Sequence, residues 1–133
     1  MNFVDIEEFL QTALSLLEEA KECFSLTNNW LNNVFVAINS GVVHRTWAHA
    51  IRNSKMKLAS SKNPGALPNM TLEEQRMHEK AIDFYVIAYE YIHDKTEMKE
   101  MKLKIASDMT KTVGNFIKEM WDGWNTLGGK IYF

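Results

Sequence analysis

The stretch that decides the fold is residues 71–92, TLEEQRMHEKAIDFYVIAYEYI. It opens with Thr71 and Glu74 in the T-x-x-E spacing of a capping box, which starts a helix. From Ala81 to Ile92 the segment is apolar on most sides of that helix. A helix that is apolar nearly all round lies at the centre of its fold or is covered by a second subunit. We therefore expect a central helix here, and we expect the protein to be a homo-oligomer.

Helical patterns also precede this segment. An apolar stripe at alternating spacings of three and four predicts a helix from Phe3 to Phe24, and a second helix is predicted from about Trp30 to Leu58. The β-branched cluster at residues 34–43, which contains Gly41, would also suit a short strand, although we favour the helix. Residues 60–70, SSKNPGALPNM, are rich in Ser, Asn, Gly and Pro and predict a loop.

A fourth helix is predicted on the C-terminal side. Asp94 to Thr96 is a short break, and Thr96 can cap a helix whose apolar stripe runs from Met98 to Trp124. Residues 131–133 form a short apolar tail. About four helices with mostly short connections predict an all-α bundle, and the length of 133 residues predicts a single helical domain over residues 1–133.

Composition narrows the class of protein further. Hydrophobic residues make up 46% and charged residues 24%, which is the balance of a soluble globular protein. Cys23 is the only cysteine, so a disulfide within the chain and a Cys-rich zinc site are excluded. The longest uncharged stretch, residues 23–43, contains asparagines that would lack partners in lipid, and the acidic N-terminus does not look like a secretory signal. We therefore expect a cytoplasmic protein with no membrane partner.

Charge is distributed unevenly along the chain. Residues 1–22 carry a net charge of -5 and residues 73–100 carry -4, whereas residues 101–133 carry +2. Residues 23–72 contain no Asp or Glu and carry +5. The middle of the chain is therefore electropositive.

The basic block suggests a binding site for an anion. Helical spacing places Arg45, His49 and Arg52 on a common face. Arginine offers a planar fork of donors for phosphate, and tryptophan can stack on a base. We predict a non-enzymatic protein that captures a small anionic ligand, such as a nucleotide, through Arg45, Trp47, His49, Arg52 and Lys55. Two simpler interpretations remain open, namely that these cations are ion-paired with the acidic helices and that the tryptophan belongs to the core.

Other classes of function are weighed against this one. The alternative is a protein-interaction module or inhibitor that uses its helix faces or its aromatic C-terminus, where the candidate interface residues are Trp121, Trp124, Tyr132 and Phe133. A metal-dependent enzyme is the third class, because Glu74 and His78 have the spacing of two zinc ligands on a helix, although a local surface contact is the simpler interpretation. We expect no catalytic residue, metal or cofactor, and duplex DNA or RNA is disfavoured because the acidic blocks would repel it.

Several short elements between residues 43 and 92 also form a pattern. They are His44-x-x-Trp47-Ala48, then Leu67-Pro68, then Leu72-Glu73-Glu74-Gln75 ahead of Ala81. In this order they resemble the RyR-type domain of ryanodine receptors and of prokaryotic and phage proteins. The resemblance implies a small, non-enzymatic ligand-recognition module, a class for which nucleotide-derived ligands have been proposed.

Overall fold

The structure is a computed structural model that describes residues 2–27, 29–62 and 69–126, with the exception of the side chains of residues 59–62 and 122–126. These residues form four α-helices and a short 3₁₀ turn, and they contain no strand. The elements are α1 (Phe3–Leu26), α2 (Trp30–Lys62), α3 (Leu72–Ile92), the 3₁₀ turn (Thr96–Met98) and α4 (Lys99–Thr126). The predicted all-α bundle is confirmed, and the β-branched cluster lies within α2. In the described part of the chain, no helix combines the length and apolar character needed to cross a membrane.

The predicted elements need three corrections. Thr96 belongs to the 3₁₀ turn, whose N-cap is Lys95, so it does not cap α4, which begins at Lys99. Helix α2 continues past Leu58 to Lys62, so that helix occupies the first part of the predicted 60–70 loop. Thr71 does cap α3 by accepting a hydrogen bond from the backbone N–H of Glu74, but the Glu74 carboxylate does not return to complete a capping box. It turns towards α2 instead. The apolar tail at residues 131–133 lies outside the described residues.

Helices α2 and α3 form the central pair, as the apolar character of α3 predicts. Helix α1 packs against α2, and α4 packs against α3. The core between the central helices is made of small and branched side chains around the fully buried ring of Tyr85. Gly41 allows these helices to approach closely, because a Cβ atom at this position would lie 2.9 Å from Cε1 of Tyr85.

Helix α1 is held less tightly than the central pair. It has no fully buried residue, and its apolar side chains are only partly covered by α2. A specific polar contact adds to this packing, since Nε1 of Trp47 on α2 donates a hydrogen bond to Oε2 of Glu7 at 2.9 Å. The buried Trp47 therefore faces α1 and anchors it to the central pair.

Candidate functional site

Two of the predicted ligand-binding cations contact a buried carboxylate from α3. Nε of Arg52 donates to Oε2 of Glu74 at 3.0 Å, and Nη2 of Arg52 lies 2.9 Å from the same oxygen. Nζ of Lys55 donates to Oε1 of Glu74 at 3.2 Å. Glu74 is fully buried and the Arg52 side chain is only 7% exposed. These two cations are thus engaged inside the protein, which agrees with the ion-paired interpretation left open above.

The same buried region continues into α4. Nε2 of His78 lies 2.7 Å from Oε2 of Glu119, and Nδ1 of His49 lies 3.6 Å from Oε1 of Glu119. The interpretation of Glu74 and His78 as a local surface contact is wrong, because both residues are fully buried between the helices. Glu119 was not singled out from the sequence. We call Arg52, Lys55, Glu74, His78 and Glu119 the buried polar cluster; His49, whose side chain is 41% exposed, lies at its edge.

The pKa values of the two carboxyl groups in this cluster shift in opposite directions. Burial raises the pKa of Glu74 above its ordinary value, although Arg52 and Lys55 oppose this effect. Burial also acts to raise the pKa of Glu119, but the hydrogen bond and charge of His78 outweigh it and hold that pKa below its ordinary value. Burial lowers the pKa of His49, against the attraction of Glu119. Glu119 is therefore the carboxyl group that ionises more readily.

The donor atoms of Glu74, His78 and Glu119 lie within 4.8 Å of one another, which is close enough to hold one metal ion. Two features oppose a metal here. Arg52 and Lys55 already bring two positive charges to the two carboxylates, so a divalent ion would add uncompensated positive charge to a buried site. In addition, Nδ1 of His78 is buried without a hydrogen-bond partner among the described residues, whereas metal-bound histidines usually donate from their second nitrogen. The cluster is better explained as a structural network that joins α2, α3 and α4.

The remaining predicted cation has a different environment. Arg45 and His49 line an open depression between α2 and α4, together with Thr46, Asp108, Lys111, Gly114 and Asn115. Among the described residues, neither Arg45 nor Lys111 forms a hydrogen bond or an ion pair. The carboxylate of Asp108 already contacts Nζ of Lys104 at 3.4 Å. We call this region the α2–α4 depression.

The structure therefore separates the predicted site residues into three groups. Arg45 and His49 line the α2–α4 depression, Arg52 and Lys55 contact Glu74, and Trp47 contacts α1. The α4 residues of the depression were missed, because they lie more than 60 positions from Arg45 in the sequence.

The predicted interface residues are only partly covered by the structure. Trp121 is 50% exposed on α4. The side chain of Trp124 lies outside the described residues, as do Tyr132 and Phe133. The aromatic C-terminus as an interface stays a prediction.

Comparison with known proteins does not extend this description. The resemblance of residues 43–92 to the RyR-type domain stays a prediction. No protein-family model, no curated protein and no solved structure matches the chain.

Proposed function

We propose that the protein is a non-enzymatic binding protein that captures a small anionic molecule, such as a phosphate ester or a nucleotide, in the α2–α4 depression. The observation that carries the proposal is the pair of cations, Arg45 and Lys111. They come from two helices, they line one depression, and they have no carboxylate partner within the described residues. Such a pair attracts an anion, and the arginine can bind a phosphate through two parallel hydrogen bonds.

Apart from the carboxylate of Asp108, which contacts Lys104, the other walls of the depression suit a phosphate group. Thr46 and Asn115 bring hydroxyl and amide groups that can donate hydrogen bonds. Because burial lowers the pKa of His49, its ring is neutral at pH 7 and can donate one N–H without adding charge. Gly114 leaves the depression open, since a Cβ atom there would meet nothing within 4 Å.

The expected affinity is modest. Hydrogen bonds to charged groups contribute about 1.5–3 kcal/mol each, so two of them supply about 3–6 kcal/mol. This corresponds to a dissociation constant between about 6 mM and about 40 μM. Pyrophosphate and nucleoside triphosphates carry more charge than inorganic phosphate, and we expect them to bind more tightly.

Isothermal titration calorimetry with phosphate, pyrophosphate and ATP tests this proposal. We expect Arg45→Gln and Lys111→Gln each to weaken pyrophosphate binding at least tenfold, because each removes at least one charge-assisted hydrogen bond. The matched control is Arg76→Gln, which removes the same charge from an exposed position on α3 outside the depression. Circular dichroism confirms that each variant is folded.

Two results would contradict the proposal. One is a folded Arg45→Gln protein that binds pyrophosphate as tightly as the wild type. The other is an equal loss of affinity in Arg76→Gln, which would mean that overall charge, and not the depression, attracts the ion.

A second candidate function is association through α4, and it also has a specific observation in its favour. Four large apolar side chains on one face of α4 are exposed, namely Val113, Ile117, Met120 and Trp121. Contiguous exposed apolar surface marks interaction sites, and tryptophan is a frequent anchor of interfaces. A second copy of this chain is the partner we test. Light scattering should show that the wild-type protein is a dimer and that Ile117→Asp dissociates it. The control variant Leu16→Asp, on the exposed face of α1, should leave the dimer intact. A monomeric wild-type protein would refute this candidate.

A further inference from the structure

Helices α1, α2 and α3 line a partly open cavity of about 440 Å³ that lies apart from the α2–α4 depression. Its walls are mainly apolar and include Leu17 of α1, Val36 of α2, and Phe84 and Ile87 of α3. Pockets for small molecules typically have volumes of about 300–1,000 Å³ and are lined by apolar and aromatic side chains with a few polar groups. The cavity has the size and lining of such a pocket.

One polar group of the cavity lacks a partner. Oδ1 of Asn33 is buried and accepts no hydrogen bond from the described residues. Asn33 lines the cavity. Buried polar atoms without a partner are rare in folded proteins, because each costs the free energy of its lost hydration. A donor group on a bound molecule would satisfy this oxygen.

A second acceptor is provided by His44, which also lines the cavity. Nδ1 of His44 lies 2.7 Å from the carbonyl oxygen of Ser40, which can only accept, so Nδ1 carries the hydrogen and donates it. Burial lowers the pKa of His44, against the effect of this hydrogen bond, and the nearby Lys80 lowers it further. The ring is therefore neutral at pH 7, and its Nε2 is a free acceptor. Stacking on Phe84, at 5.2 Å between ring centroids, holds the ring in place.

The charged groups of the cavity cancel one another. They are Glu18 and Lys21 on α1, and Lys80 and Asp83 on α3. Two carboxylates and two ammonium groups give no net charge, so the cavity has no preference for an anion or a cation. It differs in this respect from the α2–α4 depression, where cations are in excess.

We propose that this cavity binds a small, uncharged and mainly apolar molecule of one or two rings, which donates an N–H or O–H hydrogen bond to Asn33 or His44. The apolar walls bury the rings and the two acceptors select a donor. An ionised ligand is disfavoured because it would lose hydration against these walls without gaining a net opposite charge. This site is independent of the proposed anion site, because it uses α1 and α3 and not α4.

The test compares indole with benzofuran. The two molecules have nearly the same shape, but benzofuran has an oxygen in place of the N–H and cannot donate. We expect indole to bind the wild-type protein about tenfold more tightly, which is the net effect of about one buried hydrogen bond. Indole-2-carboxylate, which keeps the N–H but is ionised, should bind more weakly than indole. Calorimetry or ligand-observed NMR measures all three.

Variants locate the bound molecule. Leu17→Trp adds ring atoms to the cavity wall and should weaken indole binding at least tenfold. Its matched control is Leu16→Trp, because Leu16 is the neighbouring residue, is 60% exposed and does not line the cavity. Asn33→Leu and His44→Phe each remove one acceptor. We expect one of these two variants to abolish the preference for indole while benzofuran binding persists.

Several outcomes would overturn the proposal. Equal affinities of indole and benzofuran would show that no acceptor is used, and unchanged indole binding in Leu17→Trp would place the molecule elsewhere. A wild-type dimer that Leu17→Trp dissociates would assign the cavity to a second copy of the chain. If circular dichroism shows that Leu17→Trp is unfolded, the acceptor variants decide, and a preference for indole that survives in both of them refutes the site.

Discussion

Adding a methyl group at Gly41 should destabilise the protein, although alanine is the better helix former. A Cβ atom at Gly41 would lie 2.9 Å, 3.0 Å and 3.2 Å from three ring atoms of Tyr85. The ring is fully buried in the core between α2 and α3, so it cannot move into solvent. Overpacking of this kind costs about 1–3 kcal/mol. The gain in helix propensity is about 1 kcal/mol, so the net loss is up to about 2 kcal/mol.

Gly114→Ala is the matched comparison. Gly114 also lies within a helix, but a Cβ atom there meets nothing within 4 Å. We expect Gly114→Ala to stabilise the protein by about 1 kcal/mol through helix propensity alone. The two variants should therefore differ by about 1–3 kcal/mol in the free energy of unfolding, which for a domain of this size is about 4–12 °C in melting temperature.

Urea denaturation followed by circular dichroism measures both variants. The cause is tested by placing Gly41→Ala in a Tyr85→Leu background, where the ring is gone and the added methyl group should be neutral or stabilising. The reasoning is refuted if Gly41→Ala stabilises the wild-type protein as much as Gly114→Ala does. It is also refuted if the Tyr85→Leu background leaves the loss unchanged.

Two further predictions concern charge and pH. Arg52→Met should destabilise the protein by about 3 kcal/mol at pH 7, because it removes one partner of a buried ion pair. Burial already raises the pKa of Glu74, so this loss of stability should shrink as the pH falls and Glu74 takes up a proton. Urea denaturation at pH 7 and pH 5 measures the change, and a loss of stability that does not depend on pH would contradict the prediction. Burial lowers the pKa of His44, so its contribution to stability is present above pH 6.5 and is lost as the pH falls through its folded-state pKa. The free energy of unfolding should therefore fall less between pH 7.5 and pH 5.5 in His44→Gln than in the wild type, and identical pH profiles would disprove this role.

The features that could be predicted from the sequence are local ones. The positions of the four helices follow from apolar stripes and from cap residues such as Thr71, all of which act within a few residues. Residues 23–72 do carry an excess of positive charge. A charge count along the sequence does not show which of these cations lie together in space. Which of them remain available depends on how α2 packs against α3, and this register is set by long-range contacts.

Sequence reasoning missed the buried polar cluster, although the sequence contains a signal for it. Glu74 and His78 continue the buried stripe of α3, which also contains Ala81, Tyr85 and Ala88. Their positions repeat at spacings of three and four, so the periodicity alone indicates that they face the core. Their polar character instead favours a surface position, which is why the sequence-based interpretation is wrong here. A buried carboxylate then needs a partner, but only the packing of α2 against α3 shows that Arg52 provides it.

The second cation of the α2–α4 depression, Lys111, could not be predicted from the sequence. Lys111 belongs to a helix that is otherwise patterned as a simple amphipathic segment, and nothing in its neighbourhood distinguishes it from the other lysines of α4. Only the packing of α4 brings it to the same depression as Arg45. The same limit applies to the cavity between α1, α2 and α3, whose polar acceptors come from a mainly apolar part of α2 that also contains other asparagines.

The central claim is that the basic segment has two roles, with Arg52 and Lys55 structural and Arg45 available to an anion. NMR spectra recorded while pyrophosphate is added test it most directly, because they show which side chains meet the ion. We predict the largest shifts at the Arg45 guanidinium, the Asn115 amide and the backbone of Gly114, with little change at Arg52. Shifts centred on Arg52 and Lys55, or no shifts at millimolar pyrophosphate, would contradict this account.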